Sequence, residues 1–221
     1  MKTTAVDTKS ANQTYRVFVA IEVPAEIRRR IGAYVNQLRG KFPDVRASWS
    51  REDNLHLTLK FLGDVEVSRT EALSQACTRA VHRVNPFELE INGCGTFPPH
   101  GKTKVLWIGV RYAGVPPVAS KEPQASGKEN PEAGEDLLLS LHAAIEASCA
   151  AAGFVPEPRP YHPHLTIARL REPRASRALA EHHQQSDFAS TAFTVSEVVL
   201  FRSELSSKGS KYTPLSHFSL G

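Results

Sequence analysis

Two short phrases with one pattern stand far apart in this chain: His56-Leu57-Thr58-Leu59 and His164-Leu165-Thr166-Ile167. In a strand, side chains two residues apart share a face and lie about 6.6 Å apart, so each phrase presents an imidazole and a hydroxyl together. An imidazole can give or take a proton near neutral pH, and this spacing suits a tetrahedral anion. Two such strands facing each other would bracket one phosphate.

The apolar residues around the first phrase predict which side of its strand is buried. Leu57, Leu59 and Phe61 alternate with the histidine and the threonine, so we expect them to point into a core. Leu165 and Ile167 repeat the arrangement in the second phrase. Each phrase therefore predicts a strand with the histidine and the threonine on one face and core residues on the other.

The composition limits the class of protein. A chain of 221 residues is long enough for one core or for two small lobes that share one, and a net charge of +4 suits an anionic ligand. The three cysteines, Cys77, Cys94 and Cys149, are odd in number and far apart, which argues against a disulfide framework or a zinc knuckle and predicts buried free thiols. The chain shows neither an apolar run of membrane-spanning length nor a signal peptide. We expect a cytoplasmic monomer that does not bind membranes.

The order of the predicted elements repeats once along the chain. The first pass reads strand 16–21, a helix with Ile27, Ile31, Val35 and Leu38 at helical spacing, motif strand 54–62, helix 67–84 and strand 87–91. The second pass reads strand 105–110, helix 136–152, motif strand 164–170 and helix 174–184, followed by strands 192–202 and 211–219. This repetition predicts two equivalent halves.

Unequal spacing within the two halves points to an insertion. From Val17 to His56 is 39 residues, whereas from Val105 to His164 is 59, and the excess matches the proline-rich, polar segment 113–134, which has the composition of a disordered loop. We expect a disordered extension over 1–14 and a single bilobal domain over 15–221. The predicted fold class is α+β: two pseudo-symmetric lobes, each a mainly antiparallel sheet with helices outside, and an active-site cleft between them.

Three phrases carry a resemblance to a known family. They are Arg16-Val17-Phe18-Val19-Ala20-Ile21, Asn54-Leu55-His56-Leu57-Thr58-Leu59-Lys60-Phe61-Leu62-Gly63 and Pro163-His164-Leu165-Thr166-Ile167-Ala168-Arg169. These phrases resemble the two-histidine (2H) phosphoesterases. Within that superfamily they are most similar to the RNA 2′,3′-cyclic phosphodiesterases of the LigT or ThpR group, also called the 2′-5′ RNA ligase family. The resemblance covers roughly residues 15–221.

The resemblance implies hydrolysis of a 2′,3′-cyclic phosphate at an RNA end, or in a small cyclic nucleotide, to a 2′-phosphomonoester without a metal or other cofactor. It implies His56 as the general acid, His164 as the general base, and Thr58, Thr166 and Arg169 as phosphate-binding residues. Strict alternation would put Arg169 on the face opposite His164. Its side chain then needs a bulge, the strand's end or its own length to reach the site.

Three other functions fit the same residues. The first is the reverse chemistry, which joins RNA ends through a 2′-5′ bond. The second is a nucleotide- or RNA-binding module that uses the cleft without catalysis. The third is a zinc-dependent hydrolase with His56, His162 and His164 as ligands, because two histidines two residues apart can share a metal ion.

Overall fold

Two antiparallel sheets and four helices make up the described part of the chain. The structure is a computed structural model that describes residues 13–114, 136–172, 176–206 and 209–221. The expected disordered extension and the expected insertion at 113–134 therefore lie almost entirely outside the described residues. The first strand begins at Thr14, inside the boundary expected for the extension.

The elements follow the predicted order closely. The strands are β1 (Thr14–Glu22), β2 (Ala47–Trp49), β3 (His56–Glu66), β4 (Phe87–Phe97), β5 (Val105–Tyr112), β6 (His164–Leu170), β7 (Thr191–Val195), β8 (Glu197–Ser206) and β9 (Gly209–Ser219). The helices are α1 (Ala25–Lys41), α2 (Thr70–Val81), α3 (Leu137–Ala151) and α4 (Arg177–Gln185). The motif phrases open β3 and β6.

The strands form a four-stranded sheet in the order β3-β1-β8-β9 and a five-stranded sheet in the order β2-β6-β5-β4-β7. All pairings within both sheets are antiparallel. The α+β class and the placement of one motif strand in each sheet are confirmed.

The chain halves do not coincide with the two sheets. β4, at the end of the first pass, pairs with β5 in the second sheet, whereas β8 and β9 close the first sheet beside β1. The repetition along the chain therefore does not assign each half to one sheet. A strand's own pattern shows that it is half-buried but does not say which strand it will pair with.

Two further elements differ from prediction. The segment 192–202 is two strands, since β7 pairs with β4 and β8 pairs with β1 across the single residue Ser196. Short β2 was not predicted, and it forms the edge beside β6. Neither the break at Ser196 nor β2 is marked by glycine or proline, so no local signal separates them from their surroundings.

One core joins both sheets to the helices. Ile27, Ile31, Val35 and Leu38 of α1 are buried in it, as their spacing predicted. α2 packs against α3, and α4 packs against β4. None of the helices in the described ranges is long and apolar enough to span a membrane.

A second, smaller apolar cluster covers the opposite face of the first sheet. It contains Phe18, Ala20, Val199 and Phe201, with Tyr212 packed against them. The sheet is therefore apolar on both faces near β1, which explains why residues 17–21 form a continuous buried run rather than an alternating one. This second cluster lies beside the site described next.

Candidate active site

A cavity of about 570 Å³ lies at the two motif strands. All five residues predicted for the site line it: His56 and Thr58 from β3, and His164, Thr166 and Arg169 from β6. The remaining lining residues come from β1, the 48–54 segment, the middle of β3 and the β8–β9 hairpin: Phe18, Ser48, Trp49, Ser50, Arg51, Asn54, Phe61, Ser203, Leu205, Ser206, Gly209, Ser210 and Tyr212. The fold thus brings together two phrases that are 108 positions apart in the numbering.

A bulge in β3 changes which residues face this cavity. Thr58 pairs with Ala20 and Lys60 pairs with Val19, so Leu59 is left without a partner in the ladder. Leu59 and Lys60 are consequently both buried, and Phe61 is turned to the cavity with 48% of its surface exposed. The expectation that Phe61 points into the core was wrong for this reason.

An equivalent bulge in β6 brings Arg169 to the site. Thr166 pairs with Trp107 and Ala168 pairs with Leu106, which leaves Ile167 without a partner. Ile167 and Ala168 are both buried, and the next residue, Arg169, is exposed on the face that carries Thr166. The bulge is one of the three ways by which Arg169 was expected to reach the site, and it is the one the protein uses.

Hydrogen bonds hold the two histidine rings in the same tautomer. His56 Nδ1 lies 2.8 Å from the carbonyl oxygen of Asn54, and His164 Nδ1 lies 2.6 Å from that of His162. A carbonyl oxygen can only accept, so each Nδ1 carries a hydrogen and donates it. In the neutral ring this leaves Nε2 with its lone pair, which can take a proton in the cavity and, once protonated, give it back.

Burial lowers the pKa of both rings. It brings the pKa of His56 to about 4, although the bond to the Asn54 carbonyl acts in the opposite direction. Burial is also the main cause of the lowered pKa of His164, to which the positive charge of Arg169 adds. Both rings are therefore neutral near pH 7 when the cavity holds no anion.

The rings around the two histidines differ in arrangement. Phe18 stacks on His56 with centroids 4.6 Å apart, and Tyr212 meets it edge to face at 5.1 Å. His164 has Phe97 edge to face at 4.9 Å and Trp107 tilted at 6.2 Å. An aromatic face stabilises a cation above it, so the stacking favours a protonated His56 more directly than a protonated His164.

Neighbouring side chains satisfy the backbone of both threonines. Tyr161 donates its hydroxyl to the Thr58 carbonyl oxygen at 3.1 Å, and Ser50 donates to the Thr166 carbonyl oxygen at 2.7 Å. Within the described ranges neither threonine hydroxyl has a hydrogen-bond partner. Both hydroxyls are free to donate to a ligand in the cavity.

A buried ion pair lies behind the first motif strand. Lys60 is 2% exposed, and its Nζ lies 2.6 Å from Glu146 Oε2 and 3.0 Å from the Val155 carbonyl oxygen. This pair ties β3 at its bulge to α3 and to the loop that follows α3. Strict alternation would put Lys60 on the face of His56 and Thr58, so it gives no signal for this contact.

The aromatic lining was also missed by sequence reasoning. Phe18 and Tyr212 contact His56, and Phe61 lines the cavity, but none of the three was predicted as a site residue. The signal for Phe18 was present in the unbroken apolar run of β1, which requires a covered second face. Tyr212 belongs to the residues that resemble the family, but its contact with His56 depends on the pairing of β9 with β8.

The three histidines considered as zinc ligands do not meet. His56 and His164 line the cavity, whereas His162 is exposed and outside the lining. Across the described ranges, no three histidine, cysteine or acidic residues are grouped closely enough to hold a metal ion. Cys77 and Cys149 are buried free thiols as expected, and Cys94 is a half-buried one.

Comparison with known proteins agrees with the family to which the sequence is similar. Residues 23–206 match the family model of the 2′-5′ RNA ligase superfamily. The chain is 32% identical over 206 residues to an RNA 2′,3′-cyclic phosphodiesterase of Methanothermobacter thermautotrophicus, covering 93% of this chain and 98% of that protein. It is 29% identical over 209 residues to the RNA 2′,3′-cyclic phosphodiesterase of Escherichia coli K12, covering 95% and 98%.

Solved structures show the same likeness. Escherichia coli LigT complexed with 3′-AMP superposes with a TM-score of 0.65 at 27% identity, over 94% of this chain and 99% of that one. The protein TT0787 of Thermus thermophilus has the same fold, with a TM-score of 0.67 at 24% identity over 93% and 97%. By the family match across most of its length, this chain belongs to the 2′-5′ RNA ligase superfamily.

Proposed function

We propose that this protein is an RNA 2′,3′-cyclic phosphodiesterase that opens the cyclic phosphate to a 2′-phosphomonoester without a metal ion. The observation that carries the proposal is the pair of histidines, one from each sheet, lining one cavity with the same tautomer. Relatives named for this activity align over nearly the whole chain. A site for binding alone has no need of two groups that exchange protons.

The proposed reaction is an in-line displacement at phosphorus. His164 takes a proton from water, whose oxygen forms a bond to phosphorus while the bond from phosphorus to the 3′ oxygen breaks. His56 gives its proton to that leaving oxygen, and the phosphate stays on the 2′ oxygen. The two histidines belong to different sheets, which suits groups that must act on opposite sides of the phosphate.

The assignment of acid and base rests on the neighbours of each ring. Burial, and after it the nearby charge of Arg169, lowers the pKa of His164, which keeps that ring neutral and able to act as a base. His56 has an aromatic face stacked on it instead. Its pKa of about 4 in the free protein rises when an anionic phosphate enters the cavity, because a nearby negative charge favours the imidazolium.

The remaining predicted residues stabilise charge on the phosphate. Thr58 and Thr166 line the cavity with unpartnered hydroxyls, which we assign to the non-bridging oxygens. The guanidinium of Arg169 supplies a fixed positive charge there. Donors that are already in place where charge develops contribute most of their stabilisation in the transition state.

Product analysis on a defined substrate tests this function. An RNA oligonucleotide ending in a 2′,3′-cyclic phosphate is incubated with the protein in EDTA, with and without a second RNA that carries a 5′-hydroxyl. We expect a product ending in a 2′-phosphate in both reactions. A longer product would indicate ligation, tight binding without any product would indicate a binding module, and turnover that appears only when zinc is restored would contradict metal independence.

A further inference from the structure

A second cavity, of about 760 Å³, lies beside the candidate active site. Its lining joins the end of α1 to β2 and to the residue after β6, and comprises Asn36, Arg39, Gly40, Phe42, Pro43, Val45, Arg46, Ala47, Trp49 and Arg171. We call this cavity the arginine groove. It holds three arginines, and no acidic residue is among the described residues that line it.

The arginine groove continues directly from the active-site cavity. Trp49 lines both cavities, and Arg171 donates from Nη2 to Ser48 Oγ at 3.0 Å, where Ser48 is itself a lining residue of the active site. On β6, Arg169 lines the active site, and Arg171, two residues later, lines the groove. Arginine side chains are therefore present both at the phosphate site and on the neighbouring surface.

The arginines have donors left for a ligand. Arg46 meets Glu172 at 3.6 Å, but both side chains are more than half exposed, at 79% and 53%, and such a pair contributes little. Arg171 uses two of its nitrogens on Ser48, whereas a guanidinium has five donor hydrogens. Arg39 is exposed at the end of α1. The neighbouring Asp44 is exposed but outside the lining.

We propose that the arginine groove binds the sugar-phosphate backbone of the RNA nucleotides that precede the terminal cyclic phosphate. This inference rests on the proposed function, because a substrate longer than one nucleotide must leave the active-site cavity along some path. A row of cations with an aromatic ring at its start is the combination that binds single strands without reading sequence. Half-buried Trp49 stands at that junction and offers a surface on which a base can stack.

The test compares two substrates in two matched variants. One substrate is a mononucleotide 2′,3′-cyclic phosphate, and the other is a hexanucleotide that ends in the same nucleotide. The groove variant is Arg39→Gln/Arg46→Gln/Arg171→Gln. The control variant, Arg29→Gln/Arg79→Gln/Arg83→Gln, removes the same charge from exposed arginines that line neither cavity.

We expect the groove variant to lose about 10- to 100-fold in kcat/KM on the hexanucleotide, from three exposed charge contacts, and to keep its activity on the mononucleotide. The control variant should retain its activity on both substrates. Equal losses on the two substrates, or a groove variant that matches the control, would overturn the proposal. The mononucleotide reaction also shows that the groove variant is folded.

A binding measurement separates failure of this proposal from failure of the proposed function. Fluorescence anisotropy of a labelled hexanucleotide with a 3′-terminal phosphate is followed against salt concentration. Loss of three phosphate contacts should make the slope of log K against log salt shallower by about 2, in the groove variant alone. If the wild-type protein turns over neither substrate, the proposed function fails. An unchanged slope in the groove variant would contradict the proposal that the arginine groove binds RNA.

Discussion

The two motif strands, β3 and β6, are alike in their first three residues and different in the next three. In both, a histidine donates from Nδ1 to the carbonyl oxygen two residues earlier, and a threonine lines the same cavity. In both, the residue after the threonine bulges out of the ladder. Beyond the bulge, β3 has Lys60 and Phe61 where β6 has Ala168 and Arg169.

This difference shows how two strands with the same first three residues can support a reaction that needs an acid on one side and a base on the other. The shared residues are those that exchange protons and donate hydrogen bonds, and they are needed on both sides of a phosphate. Among the residues that differ, Arg169 puts a cation near His164, whereas the ring stacked on His56 is Phe18 of β1. Substitutions on the two strands can therefore separate what the strands share from what each one adds.

The largest effect is expected where the strands are the same. His56→Asn and His164→Asn should each lower kcat by about 10²- to 10⁴-fold, because each removes one proton-transfer group. Steady-state turnover of a cyclic-phosphate oligonucleotide measures this. His162→Asn is the matched control, since His162 is exposed and outside the cavity lining. Full turnover in either active-site variant would contradict the proposal that both histidines are required for catalysis.

The next effect concerns stability at the position where β3 has a lysine and β6 an alanine. Lys60→Met leaves half-buried Glu146 without its cation and should lower the free energy of unfolding by about 3 kcal/mol. In Lys60→Met/Glu146→Leu both charges are gone, and most of that loss should be recovered. Urea denaturation checks both variants. A single variant within about 1 kcal/mol of wild type would show that the pair does not anchor the strand.

A smaller effect should distinguish the two residues that face the cavity after the bulges. Arg169→Gln removes a charged donor and should lower kcat/KM by about 10- to 100-fold. Phe61→Leu removes only apolar contact area and should change kcat little. Steady-state kinetics on one substrate give kcat and kcat/KM for both variants. If the phenylalanine variant is impaired as strongly as the arginine variant, the proposed phosphate role of Arg169 is lost.

The smallest effect is expected at the threonines. Thr58→Val and Thr166→Val keep the β-branched shape that suits a strand but remove one neutral hydrogen-bond donor each. Each change should lower kcat/KM by about 2- to 10-fold, and by a similar amount in both strands. Activity that depends on only one threonine would mean that the phosphate is held from one sheet rather than from both.

Much of the architecture could be predicted because it depends on local patterns. The stripe on α1 and the alternation in the motif phrases each require only that apolar residues meet a core. The same alternation placed His56 and Thr58 on one face and His164 and Thr166 on another. The repetition of the phrases then indicated that the two faces meet.

The remainder depended on contacts that no local pattern contains. The bulges at Leu59 and Ile167 are not marked by a glycine or a proline, and each reverses the orientation of the residues that follow. β4 lies in the second sheet and β8 in the first because of the strands with which they pair, and a strand's own sequence does not specify its partner. For this reason Phe61 was assigned to the wrong face, and the aromatic contact of Tyr212 with His56 was not foreseen.

The most direct test of the account is the pH dependence of kcat/KM in the two histidine variants. An acid loses its proton as pH rises and so sets the alkaline limb, whereas a base gains one as pH falls and sets the acidic limb. With both pKa values lowered by burial, the wild-type optimum should lie below about pH 6.5, the ordinary pKa of histidine. His56→Asn should lose the alkaline limb, and His164→Asn should lose the acidic limb. Two variants that keep both limbs would contradict the claim that these histidines exchange protons across the phosphate.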